Sequence, residues 1–255
     1  MTPAARVVGP GRAGRSLAEA FRRRGWSVDL LGRADPVVDA ATGVDLLVFA
    51  VPDDAIARVA SAVTPCPTTV VLHLSGSRGL DVLAPHQRRG SLHPLVSLPD
   101  PELGVDRLLG GCTFAVAGDP LAGCLADQLG GRALRVDDDQ RPLYHAAASV
   151  AANHLVVLAA QVERLAAAAG VPADAYWSLM RSTLDNVASV GARRALTGPA
   201  ARGDVATIET HLRALPPEEH QLYRTLAAAA AELAGRRLDG MQVATTGSVG
   251  EGERA

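Results

Sequence analysis

Six residues near the start of the chain carry the clearest chemical pattern. Gly9-Pro10-Gly11-Arg12-Ala13-Gly14 spells G-x-G-x-x-G. It follows a short apolar run, Ala5 to Val8, and opens a helix-like segment, Ser16 to Arg24. That context is what gives the pattern meaning. The first glycine permits a tight turn, the second lets backbone approach a pyrophosphate, and the third lets helix and strand pack closely. The helix start adds free N–H groups and partial positive charge. Gly9, Pro10, Gly11, Arg12, Ala13 and Gly14 are therefore expected to hold a dinucleotide. A second apolar run, Trp26 to Leu31, ends in Gly32-Arg33, where an acid would suit the ribose hydroxyl of NAD. A guanidinium suits a 2′-phosphate instead, so Arg33 predicts NADP (as NADPH).

Later runs end in residues that should reach the same crevice. Asp45 to Val51 leads into Pro52, and Ala50, Val51 and Pro52 are expected beside the cofactor. Asp53 or Asp54 is expected to cap the helix that follows. Thr69 to Leu74 leads into Ser75-Gly76, and a further run ends at His93-Pro94. Gly76 is expected at the cofactor, Ser75 at cofactor and substrate, and His93 in the substrate pocket. In the second half, His145, Ser149 and Asn153 recur at four-residue spacing within an Ala/Val/Leu segment. On one α-helix they would share a face. Buried polar groups need partners, which a ligand crevice would supply. His145 could then serve as a general acid near neutral pH, with Asn153 holding the substrate oxygen and Ser149 relaying or binding. His154 falls on another face and reads as packing. Asn186 is a further pocket candidate. Arg202, in the Gly/Pro-punctuated link Thr197 to Asp204, could bind a carboxylate or clamp Asp204, itself a helix cap.

These residues need elements to position them. Short runs apolar on both faces alternate with helix-like segments up to Val136 and include Thr113–Val116 and Ala133–Val136 about a helix at Leu121–Leu129. This predicts an α/β fold, a doubly wound and mostly parallel sheet with right-handed crossovers. Asp137-Asp138-Asp139 and Pro142 then begin a long helix that Gly170 and Pro172 stop. Further helices are expected around Ala173–Leu196, Asp204–Leu215 and Glu218–Ala234. The expected organisation is a dinucleotide-binding domain over 1–138, an all-helical domain over 139–241 and a disordered tail over 242–255.

Composition narrows the chemistry. The chain has 255 residues, 48% hydrophobic, and a net charge of −2. All 25 of its basic residues are Arg. Without Lys there is no Schiff-base nucleophile and no Gly-Lys-Ser/Thr phosphate loop. The charge balance carries no nucleic-acid footprint. Cys66, Cys112 and Cys124 form no Cys-x-x-Cys pair, and no signal-peptide pattern opens the chain. Both point to a cytoplasmic setting, and no metal is expected. The uncharged run Pro142 to Val162 is long enough to span a bilayer, but it contains His145, Asn153, His154 and Gln161. Such groups are expensive in lipid, so a buried helix rather than a membrane span is expected.

The strand-turn motifs, with Leu74-Ser75-Gly76 and His93-Pro94-Leu95, resemble the Rossmann-like domain of the 6-phosphogluconate dehydrogenase superfamily. Arg141-Pro-Leu-Tyr144-His145, Asn153-His154-Leu155 and Leu196 through Asp204 to His211-Leu212 resemble a narrower bacterial family. In that family a Rossmann-like domain precedes a helical domain of unknown function, and relatives include alternative ketopantoate reductases. The resemblance covers nearly all but the tail. It implies an NADP-dependent oxidoreductase acting on a small carbonyl or imine, with ketopantoate one candidate substrate. It also implies a homodimer formed through the helical domain. Many superfamily members carry Lys-x-x-x-Asn on the first helix of the second domain, the Lys as proton donor. Here Asn153 matches the Asn, but Ser149 stands where the Lys would be. Either the donor has moved, to His145 on this reading, or the chain binds NADP and does something else. The alternatives are a deazaflavin-dependent NADP reductase and an NADP-binding sensor or scaffold without turnover.

Overall fold

A computed structural model describes residues 2–238. The expected tail and the last three residues of the expected helical domain lie outside them. Seven strands form one sheet: β1 Ala4–Val8, β2 Ser27–Leu31, β3 Leu46–Phe49, β4 Val70–His73, β5 Arg89–Pro94, β6 Thr113–Gly118 and β7 Arg132–Arg135. Their order is β2-β1-β3-β4-β5-β6-β7. Every pairing is parallel except β5 with β6. The fold is the doubly wound, mostly parallel Rossmann-like sheet that the alternating pattern predicts.

The central strands β3 and β4 are buried on both faces, so they alternate between two cores rather than between core and solvent. Leu46, Val48, Val70 and Leu72 meet Leu17 and Phe21 of helix α1 (Arg12–Arg23) on one face. Leu47, Phe49 and Val71 meet Ile56 and Ala60 of α2 (Ile56–Ser61) on the other. Helices α3 (Pro101–Leu109) and α4 (Leu121–Gln128) complete the first face. The sequence reading does not include α3, although Asp100-Pro101 is a good helix start. Asp100 accepts the Leu103 N–H at 2.9 Å, and Pro101 occupies the first turn. Strand order reverses between β1 and β3, and the crevice beyond their carboxyl ends is the usual ligand position in such sheets.

Among the described residues no strand follows β7. The chain continues as α5 (Arg141–Ser149), a π-helical turn over Val150–His154, α6 (Leu155–Ala168), α7 (Asp174–Val190), α8 (Ala192–Ala195), α9 (Pro199–Arg202), α10 (Val205–Ala214) and α11 (His220–Leu233). Two compact units are distinguished, Met1–Leu155 and Val156–Ala255. The first takes in α5 together with the sheet. In the second, the buried Glu219 carboxylate accepts from Gln161 Nε2 at 2.9 Å and from Arg164, tying α6 to the start of α11. His211 Nδ1 and the Tyr223 hydroxyl, 2.6 Å apart, join α10 to α11.

The expectation of a buried helix over Pro142–Val162 is not met within one chain. Leu143, Val156 and Val157 are 72%, 67% and 52% exposed. Composition reports a need for burial without saying which surface supplies it. By length and composition alone the stretch Asp138–Ala168 could cross a membrane.

Leu47 is fully buried between the central strands and α2. Leu47→Ala should lower the unfolding free energy by about 2–5 kcal/mol. Urea denaturation monitored by circular dichroism checks this.

Candidate functional site

The glycine turn is built as its sequence requires. Gly9 has φ +112°, and its N–H donates to the Leu31 carbonyl at 2.9 Å. A Cβ on Gly9 would collide with the Ala50 carbonyl, and one on Gly14 would collide with the Gly9 carbonyl. A Cβ on Gly11 would meet nothing within 4 Å. Two glycines are thus demanded by the chain's own packing, and the middle one faces open space. Gly11 also caps α1 with no side-chain acceptor, and the first turn contains no acid. The leading N–H groups of α1 are free to meet an anion. Arg15 Nε bonds the Pro10 carbonyl at 2.7 Å and braces the turn. These features fit a dinucleotide pyrophosphate.

Neighbouring loops line the same turn. Ala50 N donates to the Val8 carbonyl at 2.8 Å, and Ala50 walls Gly9 and Gly14. Val51 is half-buried and Pro52 exposed. Beyond β2, Gly32 N donates to Asp35 Oδ2 at 2.6 Å, which folds that carboxylate back on the loop. Arg33 is exposed beside it.

Neither Asp53 nor Asp54 caps α2, since Ala55 holds the cap position without a side-chain bond. Asp53 instead turns to the loop after β4. Its Oδ2 accepts from Ser75 Oγ at 2.6 Å and from Ser77 Oγ at 2.8 Å. Ser75 Oγ in turn accepts the N–H groups of Ser77 and Arg78 at 3.2 and 3.1 Å. Ser75 is 5% exposed, so its hydroxyl is committed to building the turn. Two short serine hydroxyls outcompete a cap that α2, only six residues long, can do without.

Arg141 was named above only within a family motif, yet it organises this end of the sheet. Its side chain is fully buried. Nε donates to Asp138 Oδ1 at 3.2 Å, Nη1 to the Ser75 carbonyl at 3.4 Å, and Nη2 to Ser91 Oγ. Asp138 Oδ2 accepts the Leu80 N–H at 2.9 Å. One guanidinium therefore fastens the start of α5 to the end of β4 and to β5. A planar fork spreads its donors in fixed directions and so suits bridging several elements, whereas an ammonium is a compact point charge.

That clamp brings three rings together. His93 Nδ1 lies 2.8 Å from the Tyr144 hydroxyl, with the rings edge-on at 5.6 Å between centroids. The His145 ring stands 5.9 Å from that of His93, also edge-on. Gly76 lies against both imidazoles: a Cβ there would come within 2.6 Å of His145 Cδ2 and 2.9 Å of His93 Nε2. Burial, then His145 and Arg141, pushes His93 down to about 4. Burial, then Arg141, does the same to His73, whose Nδ1 accepts the Ser75 N–H at 3.2 Å. Burial raises the Tyr144 phenol. At neutral pH both shifted imidazoles are neutral and Tyr144 keeps its proton.

The expected stripe His145, Ser149, Asn153 is changed by the π-helical turn over Val150–His154. A π turn closes i to i+5, so Asn153 does not keep the α-helical register with His145. Ser149 is half-buried and Asn153 exposed, so the premise that the stripe is buried does not hold. Asn186, on α7, and Arg202, at the end of α9, are both exposed in the second unit. Asp204 caps α10 by accepting the Thr207 N–H at 3.1 Å.

Residues 32–99 match a family model described as a Rossmann-like domain, and residues 113–230 match one described as a domain of unknown function, DUF2520. The chain is a Rossmann-like domain joined to a DUF2520 domain. This agrees with the superfamily resemblance drawn from its motifs. The DUF2520 match includes β6 and β7 of the sheet as well as α5, and therefore Arg141, Tyr144 and His145. A Bacteroides fragilis structure assigned as an NADP oxidoreductase is 22% identical, with a TM-score of 0.78, over 91% of this chain and 98% of that one. Protein TM1727 of Thermotoga maritima is 22% identical, with a TM-score of 0.66 over 91% and 98%. A reductive aminase from Aspergillus terreus, in complex with NADPH and ethyl-5-oxohexanoate, is 15% identical, with a TM-score of 0.60 over 92% and 88%. At these identities the likeness is one of fold. A curated relative, glycerol-3-phosphate dehydrogenase [NAD(P)+] of Thermosynechococcus vestitus, is 31% identical over 160 residues. The match covers 55% of this chain and 50% of that protein, so the chain spans about half the relative's length.

The two neutral histidines make folding stability pH-dependent. When unfolded, each titrates near the ordinary histidine value of 6.5. The unfolded chain therefore binds more protons below that pH. Stability should be complete above about 6.5 and fall toward pH 4, by up to about 2.7 kcal/mol per pH unit for the pair. Urea midpoints at pH 7 and pH 5 check this, and His73→Gln with His93→Gln should flatten the dependence.

Proposed function

We propose that this protein is an NADP-dependent oxidoreductase that reduces a small carbonyl or imine compound. One observation carries the reading. The uncapped start of α1 and the His93–His145 pair both stand at carboxyl ends of sheet strands, the side on which such sheets bind ligands. NADP named with the pyrroline carboxylate reductase of Plasmodium falciparum, and NADPH with the reductive aminase, support the same cofactor here.

In this reading Gly9 to Gly14 hold the pyrophosphate, with Ala50 to Pro52 and Gly76 along the dinucleotide. Arg33 meets the 2′-phosphate. The bound reduced nicotinamide supplies the hydride. The chain's own task is to orient the acceptor and give its heteroatom a proton, and His145 does the latter. The chain has no Lys to serve in the superfamily's usual way. A 2-oxo acid such as ketopantoate is the finer proposal.

We also propose a homodimer in the cytoplasm. The exposed apolar residues of α5, α6 and α7, among them Leu143, Val156 and Leu179, need a cover. A second copy suits them better than lipid, because His145, Asn153, His154 and Gln161 lie in the same apolar run. Light scattering of the purified chain should give twice the 26.3 kDa monomer mass.

NADPH oxidation at 340 nm with ketones, 2-oxo acids including ketopantoate, and imines tests the activity. NADPH binding without turnover on any of them would reject the enzyme reading. His145→Ala should lower turnover at least about tenfold while leaving NADPH affinity intact. Arg33→Glu should weaken NADPH more than NADH, and equal loss for both would contradict the 2′-phosphate assignment.

A further inference from the structure

We propose, resting on the reductase reading above, that Tyr144 fixes His93 in the tautomer that presents an N–H to the substrate. The site would then select a hydride acceptor with a free lone pair, a ketone, an aldehyde or an unprotonated imine, over an iminium ion.

The Tyr144 hydroxyl and His93 Nδ1 lie 2.8 Å apart and share one hydrogen. Either group could donate it. A phenol is a much stronger acid than a neutral imidazole N–H, and an imidazole nitrogen is a better acceptor than a phenol oxygen. The O–H···N arrangement is therefore favoured. The reverse would leave the Tyr144 hydrogen without a protein partner, because that hydroxyl makes no other protein hydrogen bond among the described residues. With Nδ1 accepting, the single proton of the neutral ring sits on Nε2. That nitrogen makes no hydrogen bond among the described residues and lies over Gly76, where His145 stands.

An N–H aimed at the reacting heteroatom can polarise a carbonyl oxygen or an imine nitrogen through its lone pair. An iminium nitrogen has no lone pair to accept it. The surrounding charge points the same way. The buried Arg141 guanidinium disfavours positive charge at His93. Asp53, the carboxylate that acts on His93, already accepts from Ser75 and Ser77. The opposite tautomer would offer a lone pair at Nε2 and welcome an iminium N–H. The phenol thus decides the substrate class without touching substrate. It is a positioning residue, and His93 is the group in contact.

The test uses the full chain labelled with ¹⁵N-histidine at pH 7, with the His93 signals assigned through His93→Gln. Long-range ¹H–¹⁵N spectra should show wild-type His93 as the Nε2–H tautomer, and Tyr144→Phe should give a mixture of tautomers. In NADPH assays the wild type should favour ketones and 3,4-dihydroisoquinoline at high pH over N-methyl-3,4-dihydroisoquinolinium by at least tenfold. Tyr144→Phe should lower kcat at least tenfold and narrow that preference, with KM for NADPH unchanged. Wild-type His93 protonated on Nδ1, or on both nitrogens, would overturn the proposal, and this spectrum decides even if Tyr144→Phe does not fold. Faster turnover of the N-methyl iminium would overturn the substrate class. An Nε2–H spectrum with no turnover of any compound would uphold the tautomer and reject the reductase reading, taking the substrate class with it.

Discussion

The site depends on one buried cation. A guanidinium wholly removed from water is tolerated only when its donors are paired, and removing its partners costs on the order of 3–5 kcal/mol. Arg141 meets that demand by reaching Asp138 in the preceding turn, the Ser75 carbonyl after β4 and Ser91 on β5. Those bonds set where α5 begins relative to the sheet, and hence where Tyr144 and His145 stand relative to His93 and Gly76. The same charge helps to keep His73 and His93 neutral. One residue thus supplies both geometry and protonation state.

A chain without Lys must solve two problems with other groups. Holding elements together falls to Arg, whose fork bridges several acceptors where an ammonium would act as a point charge. On the proposed reading, donating a proton falls to His145, while Tyr144 holds His93 in place. The three rings at the end of β5 are the chain's answer, and they come from two segments about fifty residues apart, a separation that the His93–Tyr144 bond records as 51.

Local pattern made much of the fold readable. The strands announce themselves as short runs apolar on both faces, and the Gly9–Gly14 turn needs only the spacing of its glycines and what flanks them. Asp204 reads correctly as a cap because capping is a local competition between a short acceptor and the nearest N–H groups. What escaped is what depends on distant partners. Asp53 is claimed by Ser75 and Ser77, more than twenty residues away, instead of by its own helix. Arg141 looks like any helix-start cation until Ser91 is seen beside it. The π turn over Val150–His154 leaves no periodic trace in an Ala-rich segment, so a stripe drawn at α-helical spacing misjudges Asn153. Hydropathy likewise registers the apolar surface of α5 and α6 but not what covers it.

A crystal structure of the full chain grown with NADPH tests most directly whether the carboxyl ends of β4 and β5 form a redox crevice. The pyrophosphate is expected on the N–H groups of Arg12 to Gly14 and the nicotinamide ring against Gly76, facing His93 and His145. A nicotinamide bound away from these histidines, or a dinucleotide that leaves the Gly9–Gly14 turn empty, would contradict this reading.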